Sequence, residues 1–115
     1  MNELKNRLEN NYKHLKKAQV NYYLSAKIHA EAKAHLDYLI VTETLAGNIK
    51  GKNAAEREVS AKELLGIAYQ YVMDAKAKAE GDKIRLTVAQ IAVDASRALI
   101  RIEEIKIGRL PDAGH

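Results

Sequence analysis

Between Glu3 and Ala46 the chain contains neither glycine nor proline, and its single proline, Pro111, follows every periodic segment. A run of that length without a breaker has few ways to fold, because no ring geometry or left-handed residue forces a turn in it. Apolar or small residues recur at Leu4, Leu8, Leu15, Ala18, Tyr22, Ala26, Ala32, Leu36 and Leu39. Gaps of three, four and seven place these side chains on one face of a helix. The pattern predicts one helix over about residues 3–46, capped by Asn2 and roughly 65–70 Å long at 1.5 Å per residue.

The clear break is Gly47-Asn48-Ile49-Lys50-Gly51-Lys52-Asn53. Gly47 suits the left-handed residue just beyond a helix. Asn53 suits the N-cap of the next helix, with Glu56 three residues on as in a capping box and Glu56 and Glu58 favoured by the helix dipole. A second helical region is predicted over 54–107, with a possible break at Gly81-Asp82. If Gly81 breaks it, a three-helix bundle follows. If the helix passes through, at a cost of only about 1 kcal/mol for the glycine, two arms of similar length form an elongated antiparallel hairpin, which is the expected fold.

Composition supports an all-α chain. Phe and Trp are absent and eighteen residues are alanine, a poor mixture for strands and a good one for helices. The 115 residues make one domain over 1–107 with a short tail at 108–115, and 47% hydrophobic content is enough for a core. The absence of cysteine excludes disulfides, thiolate metal sites and thiol nucleophiles. Apolar runs are far shorter than the roughly 20 residues of a membrane span, and the first residues lack a signal-peptide core. A cytoplasmic protein with no membrane contact is expected.

The C-terminal part of the second region carries a close 3-4 repeat, Val88, Ile91, Ala95, Ala98, Ile102 and Ile105, which has coiled-coil spacing. Val93, Leu99, Ile100 and Ile107 lie off this stripe, so the segment is apolar on more than one side and needs more than one neighbour. Dimerisation through the stripe, completing a four-helix bundle, is the simplest cover. A helix face of this kind would also suit another protein as partner.

Catalytic patterns are missing. The Gly-Lys turn lacks the spacing, the hydroxyl and the preceding strand of a P-loop. Di-iron bundles need Glu-x-x-His on two helices, and none of His14, His29, His35 and His115 stands three residues after a glutamate. Glu31 and His35 share a face without a second pair. Ser25, His29 and Asp37 have no nucleophile elbow around them. No metal, no cofactor and no enzymatic activity are expected.

Charge is uneven. Residues 1–53 carry nine Lys and Arg against five Asp and Glu, while the rest of the chain is balanced, so the whole net charge of +4 lies in the first helix and turn. Lys13, Lys16 and Lys17 beside Tyr12, Tyr22 and Tyr23 form the densest cluster, and Lys50 and Lys52 sit in the turn. Basic groups next to tyrosines can follow a phosphate backbone and stack on bases. The lysines could equally solvate a helix face. Nucleic-acid or anion contact by these five lysines is therefore the alternative function, behind a non-enzymatic interaction or assembly role.

The segment from Gly47 to Arg57, set between two Ala/Leu-rich helices, resembles the connection in small phage- and prophage-encoded helical-hairpin proteins of uncharacterised function, which join two helices through a Gly-x-x-x-Gly-Lys-Asn-Ala-x-x-Arg-like sequence. Eleven residues carry the likeness. It implies an extended hairpin from a mobile-element gene, with a phage or prophage accessory role, and it transfers no catalytic residue. Helical hairpins of the type VII secretion pathway have similar length but turn at Trp-x-Gly, and this chain has no Trp.

Overall fold

A computed structural model describes residues 1–108, so the expected tail beyond Gly108, with Pro111 and His115, lies outside the described residues. The fold is an all-α helical hairpin of three helices: α1 (Asn2–Leu45), α2 (Ala54–Leu64) and α3 (Gly66–Lys106). Among the described residues there is no strand. Asn2 is helical rather than the cap. The Lys5 N–H donates to the Met1 carbonyl at 3.1 Å, so the ladder starts one residue earlier than predicted.

At the other end α1 closes as the glycine requires. Gly47 has φ +79, its N–H donates to the Thr44 carbonyl and the Asn48 N–H to the Glu43 carbonyl. These two bonds make a Schellman motif. The Asn48 amide also donates to the Glu43 carboxylate at 2.6 Å, so a polar pair replaces the apolar contact that often joins those positions. Asn53 caps α2, its side chain accepting from the Glu56 N–H at 2.9 Å. The Glu56 carboxylate reaches back past the cap to the Lys52 N–H at 2.7 Å.

The second arm does not break at Gly81, which lies inside α3. It breaks at Leu65, whose φ −111 and ψ 30 depart from helical values. The interruption is slight, since the Leu65 N–H still bonds the Ala61 carbonyl and the Tyr69 N–H the Leu65 carbonyl. Gly66 follows and explains the position: it is the residue with the least helical preference in that stretch, whereas Gly81 is held within a long hydrogen-bonded ladder. A methyl group at Gly66 would meet nothing within 4 Å. Gly66→Ala is therefore expected to stabilise the chain by about 0.5–1 kcal/mol, read as a higher urea midpoint. An unchanged or lower midpoint would show that the break at Leu65 is required by the packing.

The chain forms two compact units, one of Met1–Tyr22 with the described chain from Asp82 onward, the other of Tyr23–Gly81. In the first, α1 and α3 run antiparallel: Leu8 borders a groove with Arg97 to Glu104, and Asn11 to Ala18 border one with Ile84 to Ala92. The covered residues of α1 are Leu4, Leu8, Asn11, Leu15, Ala18 and Tyr22. Those of α3 include the series Asp82, Leu86, Ala89, Val93, Ser96 and Ile100, with Ala92, Glu103, Glu104 and Ile105 half-covered beside it. Both series alternate gaps of four and three, the knobs-into-holes spacing of a coiled coil. Val93 is the most deeply buried large side chain, at 1% exposure. Asn11 stands in this seam and donates across it to the Ser96 hydroxyl at 2.7 Å and the Ala92 carbonyl at 3.3 Å. A polar pair within an apolar seam penalises any slipped register, because sliding would leave both groups buried without partners.

In the second unit the same alternation continues through Ser25, His29, Ala32, Leu36 and Leu39 of α1. It is met by Ala61, Leu65, Ala68, Val72, Ala75 and Ala79. Alanine dominates, so the helices meet through small side chains. The seam keeps its phase through Leu65, which is why a one-residue interruption is tolerated there.

Candidate interaction surface

The predicted stripe is not the seam that faces α1. Val88 and Ile91 remain 59% and 61% exposed, Ile102 is 49% exposed, Ala95 and Ala98 are exposed, and Ile105 is half-covered. The seam runs Asp82, Leu86, Ala89, Val93, Ser96, Ile100 and the stripe runs Ile84, Val88, Ile91, Ala95, Ala98, Ile102. Each stripe residue is two positions beyond a seam residue, which is about 200° around a helix of 3.6 residues per turn. The C-terminal part of α3 therefore carries two heptad stripes back to back, one covered within the unit and one open. Ile84, outside the predicted stripe, extends it by one step and is 66% exposed. Counting back four from Val88 would have found it.

Such exposure is not isolated. Nineteen large apolar side chains are exposed among the described residues, against seven buried apolar residues of which four are alanine. Scattered exposed residues need no explanation, whereas a regular series along one face does. In the second unit Leu64, Ile67 and Tyr71 line a cleft with His35 and Leu39 at the α2–α3 junction. Of the two tyrosines there, Tyr71 is exposed and Tyr69 half-covered, with the Lys62 ammonium 6.0 Å from the Tyr69 ring centre.

Lys13, Lys16 and Lys17 are all exposed on α1 of the first unit. Lys17 borders a shallow groove with His14, Ala18, Asn21, Asp82 and Arg85. Tyr12 and Tyr23 are exposed and Tyr22 is half-covered. Lys50 and Lys52 belong to the second unit. Their backbone amides are already engaged, Lys50 N–H with the Ser60 hydroxyl at 3.0 Å and Lys52 N–H with Glu56. The Glu56 carboxylate thus lies against the connection that an incoming anion would approach.

Ser25, weighed as a nucleophile, is 5% exposed within the alanine seam, so its hydroxyl is not presented to a substrate. Asp82 is buried in the other seam, with Arg85 2.9 Å from its carboxylate. Among the described residues no three His, Asp or Glu side chains gather into a metal-binding cluster, and no helix is long and apolar enough to cross a membrane.

Compared with known protein families, with characterised proteins and with solved structures, the chain matches none.

Proposed function

We propose that this is a non-enzymatic helical interaction and assembly protein that pairs with a second copy through the open stripe of α3. The observation that carries the reading is the second heptad series on the face opposite the covered seam. Water-exposed isoleucine and valine repeated at coiled-coil spacing gain free energy when another helix covers them. The resemblance of the Gly47–Arg57 connection suggests a phage or prophage accessory role as the setting for this assembly.

Sedimentation equilibrium tests it. The chain should have twice its monomer mass at micromolar concentration, and Ile91→Asp should weaken association at least about 100-fold, since a carboxylate would be buried without a partner. Lys13→Glu, Lys16→Glu and Lys17→Glu combined should leave the mass unchanged. A monomeric wild-type chain, or a dimer indifferent to Ile91→Asp, overturns the reading.

The exposure of Lys13, Lys16 and Lys17 with Tyr12 and Tyr23 favours a second reading, contact with nucleic acid along α1. Binding of that kind weakens steeply with salt and is lost in the triple glutamate variant. Fluorescence anisotropy with labelled single- and double-stranded DNA at two salt concentrations checks it, and no binding at low salt dismisses it.

A further inference from the structure

Resting on the reading of contact with nucleic acid, we infer that one backbone phosphate of the nucleic acid binds in the groove between α1 and α3 of the first unit. Arg85, Lys17 and His14 hold it, and the buried Asp82 aims the Arg85 guanidinium.

Pairing α1 with α3 gathers charges that the sequence keeps far apart. Residues 10–22 and 82–93 lie side by side, joined by the bond from Asn11 to Ala92 and by a groove that His14 and Ala18 share with Ile84 and Val88. They carry Lys13, Lys16, Lys17, Lys83 and Arg85 against a single acid, Asp82. Acids and bases balance over residues 1–9 with 94–115, and again over 23–81. The whole net charge of +4 therefore belongs to this one stretch of paired helix. A polyanion is drawn there first. Two of the five cations come from α3, so a count along α1 alone misses them.

Within that stretch one groove is built for an anion. It encloses about 120 Å³, with His14, Lys17, Asn21, Asp82 and Arg85 in its lining. The Asp82 side chain is 5% exposed and that of Arg85 70%, and the two are 2.9 Å apart. A buried acid thus fixes an exposed arginine that would otherwise lose rotamer freedom on binding. The bond engages one terminal nitrogen of the guanidinium. That group has five N–H donors, which leaves its outer edge to oxygen acceptors. A planar fork held in one orientation suits bidentate recognition of phosphate. Lys17 brings an ammonium to the same groove, and His14 a ring N–H in either protonation state. Asp82 also cancels one positive charge, and the placing of Arg85 outweighs that loss.

Fluorescence anisotropy with labelled single-stranded DNA over a range of salt concentrations tests the groove. Arg85→Ala should weaken binding about 5- to 10-fold and lower the salt slope by about 0.7, one phosphate's share for a single strand. Arg101 is an exposed cation of the balanced part, about 24 Å along α3 from Arg85. Arg101→Ala should stay within about 2-fold of wild type, since that spacing exceeds the screening length. Arg85→Lys keeps the charge and gives up the fork, so the salt slope should return while the affinity does not. Asp82→Asn keeps the volume and removes a negative charge. General attraction would then tighten binding, whereas the groove predicts weakening by about 3-fold, the cost of ordering a freed arginine. Circular dichroism checks that this variant is still helical, and Arg85→Lys tests the fork without touching the buried position. Equal losses in Arg85→Ala and Arg101→Ala, or full affinity in Arg85→Lys, would overturn the groove and leave nucleic-acid contact standing. Tighter binding by Asp82→Asn would overturn the aiming of Arg85. A wild-type chain that binds no DNA at low salt would overturn the nucleic-acid reading and this inference with it.

Discussion

Val93→Asp is expected to destabilise the chain by at least about 4 kcal/mol, most of the stability a domain of this size possesses. Val93 is 1% exposed and sits in the seam between Ala89 and Ser96. A carboxylate there has no basic partner and no route to water along so short a side chain, and the packing of two methyl groups is lost besides. Urea unfolding followed by circular dichroism measures the loss. Val93→Ala provides the scale, at about 1–2 kcal/mol for the missing methyl groups. The informative contrast is Ile91→Asp, the same chemistry two residues earlier. Measured at a dilution where the wild-type chain is monomeric, Ile91→Asp should change stability by less than about 1 kcal/mol, since that side chain is exposed within the chain. A loss under about 2 kcal/mol for Val93→Asp would mean the two stripes have been assigned to the wrong faces.

That contrast also shows what the sequence carries and what it does not. Both stripes of α3 repeat in threes and fours, so periodicity alone cannot say which one faces α1. The apolar stripe through Val88 and Ile91 is the more conspicuous in sequence because its partner seam includes Asp82 and Ser96, which a count of apolar residues skips. Asn11 and Ser25 hide in α1 for the same reason. Polar residues in a seam become visible only when their partners are known, as the bond from Asn11 to Ser96 illustrates. Helix ends were legible wherever a backbone requirement selects the residue: Gly47 for its positive φ, Asn53 for its side-chain acceptor. The break in the second arm was not. Gly66 lies within an apolar stretch and reads as part of a helix, while Gly81 beside Asp82 imitates a cap and start.

Gly51→Ala should cost at least about 3 kcal/mol, clearly more than Gly47→Ala, although both glycines have positive φ. Gly47, at φ +79, has open space where a Cβ would project, so alanine there bears only the left-handed penalty of about 1–2 kcal/mol. Gly51 has φ +151, and a Cβ on it would lie 2.6 Å from the Arg57 backbone nitrogen, 2.7 Å from the Glu56 Cβ and 2.8 Å from the Glu56 carbonyl carbon. Two of these three are backbone atoms in the first turn of α2 and cannot swing aside. The connection is held against that turn by several bonds at once: Lys50 N–H to Ser60, Lys52 N–H to Glu56, and the Glu56 N–H to Asn53. Moving Gly51 outward strains all of them, so the cap of α2 should loosen together with the turn. Hydrogen exchange at the Lys50, Lys52 and Glu56 amides should then accelerate in Gly51→Ala and stay near wild type in Gly47→Ala. Equal costs for the two substitutions, with exchange unchanged at Lys52, would show that the close approach of Gly51 to α2 is not what secures the connection.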